Sequence, residues 1–176
     1  QSCRVKEVSG LILDWSGTVT DRYVIAPAIV FVDSFKHFGV DVTMQEARLP
    51  MGLRKDLHIK AMTEMKSVRE KWHKVHNRYP TDQDVQDMYA YFIPKQLECL
   101  DEYSELLPGV AKITQNLQKS GLLIGTSTGF SKEMVDILAH SAKKQGYTPD
   151  VVIAGDNVLN GARPDPHMIF KNMDLL

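Results

Sequence analysis

The chain has 176 residues, enough for one large domain or for a core carrying an insert. It is 43% hydrophobic and 24% charged, an ordinary balance for a globular protein. A net charge of -1 supplies no bulk field toward nucleic acid or an anionic membrane, so any anion must be held locally.

No apolar run approaches the ~20 residues a membrane helix needs, and no signal-like segment opens the chain. Neither a membrane nor a nucleic-acid partner is expected. Cys3 and Cys99 form no scaffold pattern, so a reducing, cytoplasmic setting is the default expectation.

In chain order, Val5 to Leu13 reads as a buried strand ending at Asp14. A carboxylate delivered to a strand end costs desolvation, and Gly17 with Thr18 suits a tight turn whose amides could hold an anion. Pro27 opens a helix whose apolar stripe is Ile29, Val30, Val32, Phe35 and Phe38, stopped by Gly39. Thr43 with Glu46 fits a capping box. Pro50-Met51-Gly52 breaks that helix. Further helices are expected over 54–65, 67–75 and 82–100, the last capped by Thr81 and kinked at Pro94.

From Pro108 the pattern alternates. A helix over 110–120 precedes a strand over 122–126. A helix over 131–145 precedes a strand over 150–154, and a last helix begins near Met168. Alternation of this kind means a parallel sheet with right-handed crossovers. The fold class expected is α/β, a Rossmann-like parallel-sheet core formed by 1–21 and 101–176. An all-helical cap is inserted at 22–100.

Four places carry chemistry. Asp14 with its glycine turn could be a nucleophile or a plain strand-end cap. Thr126-Ser127-Thr128-Gly129 could hold phosphate or merely cap a helix. Arg163, between Ala162 and Pro164, has the fork that matches phosphate, or is a solvated cation. Lys55 follows the Pro-Met-Gly break, and is otherwise a surface lysine. Carboxylate, hydroxyl and cation at successive strand ends together suggest a phosphorus site at the carboxyl edge of a sheet.

These residues resemble the phosphonoacetaldehyde hydrolase (phosphonatase) family of the haloacid dehalogenase superfamily. The resemblance rests on Leu13-Asp14-Trp15-Ser16-Gly17-Thr18, on Ala47-Arg48-Leu49-Pro50-Met51-Gly52-Leu53-Arg54-Lys55 with His58, and on Gly125-Thr126-Ser127-Thr128-Gly129 and Gly161-Ala162-Arg163-Pro164. It implies hydrolysis of the P–C bond of a small phosphonate, with Lys55 forming an imine and Asp14 becoming an aspartyl phosphate. His58 would shuttle a proton. Gly17, Thr18, Met51, Thr128, Gly129 and Arg163 would hold substrate. Asp14 and the Ser16 carbonyl would bind Mg2+. A homodimer through the cap is a further expectation.

The nucleophilic amine needs a lowered pKa, for which Arg48 and Arg54 are the candidate cations. Two departures stand out. Ser16 occupies the place where most phosphatases of the superfamily carry a second Asp. Phe130 stands where an aromatic hydroxyl is expected. The resemblance also implies a later Gly-Asp motif with further acids completing the metal site. Gly155-Asp156-Asn157 precedes Arg163 and reads instead as a turn. The expectation from this is a core whose C-terminal part is missing, in a fragment or a shortened form. The alternatives are another phosphatase or mutase of the superfamily, or a catalytically impaired binding or regulatory homologue.

Overall fold

In a computed structural model, residues 8–158 and 161–176 are described. Three parallel strands run β1 (Gly10–Asp14), β2 (Leu123–Ser127) and β3 (Val151–Ile153), in that spatial order. In register, Asp14 lies opposite Ser127 and Ser127 opposite Ile153, so the carboxyl ends of the strands are level. The parallel sheet with helices agrees with the expected fold class.

Between β1 and β2 the regular elements are helices: α1 (Ile25–His37), α2 (Met44–Arg48), α3 (Lys55–Glu64), α4 (Lys66–His76) and α5 (Asp82–Leu100). The crossovers then supply α6 (Val110–Lys119) and α7 (Lys132–Lys144), and α8 (His167–Leu175) follows β3. Among the described residues, no helix is long and apolar enough to cross a membrane.

Local chemistry accounts for the helix starts. Thr43 and Glu46 close a reciprocal capping box on α2, with the Thr43 amide donating to Glu46 at 2.7 Å. Thr81 and Asp84 do the same on α5, where Arg78 also grips Asp84 with two bonds of 2.6 and 2.7 Å. That fork holds the Asp84 carboxyl far below the usual range. Burial pushes the Glu46 carboxyl up, but Lys71 and Ser67 outweigh it and hold it down to about 2. α1 is started by Asp21, whose carboxylate accepts from the Ile25 and Ala26 amides at 2.9 Å, a cap not read from the sequence.

The structure corrects several expectations. Among the described residues β1 begins at Gly10 and Val8 is exposed, while Val5, where the expected strand opened, lies outside the described residues. On α1, Ile29 is exposed, while Phe31 and Phe35 are fully buried. The buried face includes Phe31, which the expected stripe omitted. As expected, α5 spans Asp82–Leu100 with Pro94 inside it, where the missing amide forgoes one hydrogen bond to the Ala90 carbonyl.

One apolar cluster joins the two regions. Trp15, Phe31, Phe35, Phe92, Ile124 and Leu138 all belong to it. Burying each large side chain contributes about 1.5–3 kcal/mol. The cluster therefore anchors α1, α3 and α5 against the edge of the sheet where Asp14 emerges.

Candidate active site

A cavity of about 140 Å3 opens at the carboxyl ends of the strands. It is walled by Asp14, Ser16, Met51, Lys55, Thr128, Gly129 and Arg163, together with Val24, Pro27 and Gly52. That is well under the roughly 300 Å3 at which pockets for drug-sized ligands begin, so a small molecule is the fitting occupant. A larger cleft of about 410 Å3 by Lys60 and Asp82 gathers no such convergent set; its ion pair is solvent-facing.

Asp14 is held from one side only. Its Oδ1 accepts from the Trp15 amide at 2.8 Å and from Arg163 Nη2 at 3.0 Å. No described residue donates to Oδ2, which leaves that oxygen available. The same Arg163 nitrogen donates to the Ser127 carbonyl and hydroxyl, both at 2.8 Å, which ties the guanidinium to the end of β2. Thr128 is buried, its amide spent on the Ile153 carbonyl at 3.1 Å, while its hydroxyl accepts from Phe130 at 3.2 Å. The hydroxyl hydrogen remains for a ligand. The Ser16 and Gly129 amides donate to none of the described residues.

Gly17 and Thr18 are placed differently from the expectation. Gly17 takes the left-handed conformation a tight turn demands, with φ at +84°. Its amide donates to Thr20, and the Thr18, Val19 and Thr20 amides all converge on the Trp15 carbonyl. The turn closes on itself and neither residue walls the cavity. The open amides are those of Ser16 and Gly129. The sequence signal for Gly129 was present, but Ser16 had been considered only through its carbonyl.

Lys55 enters from the start of α3. A Cβ on Gly129 would lie 2.5 Å from the Leu53 carbonyl, so only glycine lets the segment leading to Lys55 sit this close to β2's end. Lys55 is 5% exposed, and its ammonium finds no hydrogen-bond acceptor among the described residues. Its walls are aromatic: the Nζ lies 4.4 Å from the Phe130 ring centroid and 5.7 Å from that of Phe31. Burial pushes its pKa down to about 8, with Asp14 pulling up and Arg163 pushing down.

The acting cation is thus Arg163, not Arg48 or Arg54. Arg54 is forked onto Asp56 at 2.7 and 2.8 Å, and Arg48 donates to the Tyr23 carbonyl. Sequence adjacency to Lys55 was the misleading signal.

His58 is fully buried one turn along α3, outside the cavity lining. Its Nε2 meets the Ala47 carbonyl at 2.8 Å; a carbonyl only accepts, so the proton sits on Nε2 and Nδ1 keeps a lone pair. Nδ1 has no partner among the described residues. Burial, then nearby Lys55, pushes the pKa down to about 3, so the ring is neutral at neutral pH. It stacks on Phe31 at 3.7 Å.

For Mg2+, the described residues offer two donors, the Asp14 carboxylate and the Ser16 carbonyl. A near-octahedral ion asks for about six oxygens. No group of three acidic, histidine or cysteine residues occurs among the described residues, and Asp14 Oδ1 already faces Arg163. These residues do not fit a magnesium centre by themselves. Asp156 stands outside the cavity lining: Gly155–Asn157 is a short turn, and Asp156 accepts from the Lys132 amide at 2.9 Å at the start of α7.

No protein-family model matches the chain. It is similar to a phosphonoacetaldehyde hydrolase of Bacillus cytotoxicus, 42% identical over 94% of this chain and 62% of that protein. It is also similar to a bifunctional phosphonoacetaldehyde hydrolase/aminoethylphosphonate transaminase of Clostridioides difficile, 40% identical over 97% of this chain and 27% of that protein. Among solved structures, a phosphonoacetaldehyde hydrolase-like protein from Oleispira antarctica superposes with a TM-score of 0.92 at 34% identity, covering 95% of this chain and 60% of that one. A β-phosphoglucomutase from Clostridium difficile, at 17% identity and a TM-score of 0.70, shares the fold alone. The chain spans less than two thirds of the length of these phosphonoacetaldehyde hydrolase relatives. Over nearly its own whole length it is their homologue, as the motif resemblance implied.

Proposed function

We propose that this homologue of the phosphonoacetaldehyde hydrolases cleaves the C–P bond of phosphonoacetaldehyde, giving acetaldehyde and phosphate. The observation that carries the reading is one small cavity shared by a buried amine and a carboxylate oxygen, neither of which has a hydrogen-bond partner among the described residues. In this reading residues 22–100 form a cap that brings Lys55 to a core made of 1–21 and 101–176.

The amine is prepared for attack. With a pKa of about 8, on the order of a tenth of Lys55 is neutral at pH 7. An ordinary lysine is neutral in less than about a thousandth. The neutral Nζ attacks the aldehyde carbon, a proton passes from nitrogen to oxygen to give a carbinolamine, and with one further proton taken up from solvent water leaves, giving a protonated imine. His58, one helical turn away, is neutral, buried outside the cavity lining and a weak base with its pKa pushed down to about 3, so proton exchange in that step is with solvent.

A carbanion is a poor leaving group from phosphorus, and the imine cures this. Asp14 Oδ2 attacks phosphorus, the C–P bond breaks, and its electron pair flows into the imine to give an enamine. The phosphoryl group is then on Asp14. Water releases phosphate and restores the carboxylate. Protonation of the enamine carbon and hydrolysis of the imine release acetaldehyde and free Lys55.

Arg163, the Thr128 hydroxyl and the Gly129 and Ser16 amides surround the position of the phosphoryl oxygens, and Met51 walls the aldehyde end. Gly17 and Thr18 contribute through the turn that presents Ser16. No step here is assigned to a metal.

The test is reduction with borohydride in the presence of phosphonoacetaldehyde, followed by peptide mass mapping. The reading expects an adduct on the peptide that contains Lys55. A folded chain that yields no adduct there contradicts it.

A further inference from the structure

The buried Lys55 ammonium has no hydrogen bond among the described residues, and its nitrogen lies against an aromatic face. The Phe130 ring centroid is 4.4 Å from Nζ, and Phe31 stands farther off at 5.7 Å. Phe31 cannot shift easily, since His58 and Phe92 stack on it at 3.7 and 4.5 Å. Phe130 is itself buried, its amide fixed on Thr128 and its carbonyl accepting from Gly155 at 2.8 Å. The ring is therefore held in place by the strand ends, not by the lysine.

We propose that Phe130 is a catalytic contact residue whose ring face stabilises the cationic imine on Lys55 and so sets how much imine forms. The proposal rests on the imine reading of Lys55. A protonated imine spreads its charge over nitrogen and carbon and is weakly hydrated, which suits an aromatic face better than a hydrogen-bonded site. The other charges nearby oppose one another: Asp14 favours a cation on Nζ and Arg163 disfavours it. Phe130 thus supplies attraction without a proton acceptor that would compete for the nitrogen. It acts on the population of the cation. It does not assist the later discharge of that cation into the enamine, which removes the charge the ring stabilises.

The experiment measures the initial rate of cyanoborohydride reduction at Lys55 after phosphonoacetaldehyde has equilibrated, which reads the imine population directly. Phe130→Leu keeps the site apolar and removes the face; the adduct rate falls about tenfold or more. Phe130→Tyr restores it to within about twofold, since the face is kept. A series with mono-, di- and trifluorinated phenylalanine at position 130 keeps the shape while draining the face, so it reports even where Phe130→Leu does not fold. The rate then falls stepwise with fluorine number. A flat series, or Phe130→Leu trapping like the unaltered chain, overturns the role of Phe130 while leaving the imine intact. No adduct on the unaltered chain overturns the imine reading itself, and this inference with it.

Discussion

The two regions that meet at the cavity solve opposite electrostatic problems. The strand ends present polar groups already satisfied on one side: Asp14 by Trp15 and Arg163, and Arg163 by Ser127. The helical region presents one amine with no polar partner among the described residues, walled by rings. The strand side is built to hold a charged group. The helical side is built to make a charged group uncomfortable, and hence reactive. A phosphonate with an aldehyde tail has one end suited to each.

The largest effect tests the helical side. Lys55→Met abolishes the borohydride adduct. It also stabilises the fold, because Lys55 holds its proton less tightly in the folded chain, at about 8, than an ordinary lysine does, at 10.5. Between those pH values the unfolded chain binds more protons, so stability rises with pH; the cost is full below about 8 and gone above 10.5. Urea unfolding at pH 7 is expected to show a gain on the order of 3 kcal/mol, at about 1.4 kcal/mol per pKa unit, and no gain above pH 10.5. An unchanged pH dependence would break the contrast.

The joint between the regions comes next. Gly129→Ala drives a Cβ against the Leu53 carbonyl, 2.5 Å away, and pushes the Lys55 segment off the strand ends. A displacement approaching 1 Å costs about a hundredfold in a positioned reaction, so trapping at Lys55 is expected to fall by that order. Trapping at the unaltered rate means the close approach does not position Lys55.

Smaller effects belong to the strand side. Arg163→Gln removes the guanidinium from the cavity and, on the proposed reading, is expected to weaken phosphonate-dependent trapping about tenfold or more. Phosphonate-independent trapping of a plain aldehyde is expected to persist. Smallest is Thr81→Ala, which opens the α5 capping box at a cost of about 1 kcal/mol, seen as a shifted urea midpoint, with trapping unaltered. Together these separate the stability of the helical region from its chemistry.

What the sequence made legible follows the reach of each interaction. The Thr43 capping box and the Thr81 cap act over three residues and were read from the sequence, although the Asp84 half of the Thr81 box was not. Asp14, Thr128 and Arg163 were found because strand ends converge in parallel sheets, and the structure does bring them to one cavity. The Arg163–Asp14 pair and the Phe130 and Phe31 walls join distant parts of the chain, and nothing local announces them. Arg48 and Arg54 were misjudged for the converse reason: closeness along the chain stood in for closeness in space. Gly17 and Thr18 were misjudged because a turn's amides can close on the turn itself, as they do on the Trp15 carbonyl.

The central claim is that one molecule spans both sides, its phosphonate at the strand ends and its aldehyde at Lys55. The direct measurement compares reductive trapping at Lys55 by phosphonoacetaldehyde and by acetaldehyde at equal concentration, with inorganic phosphate as competitor. The account predicts far faster trapping of the phosphonate, suppressed by phosphate and not by chloride at equal ionic strength. Equal trapping of the two aldehydes, indifferent to phosphate, contradicts it.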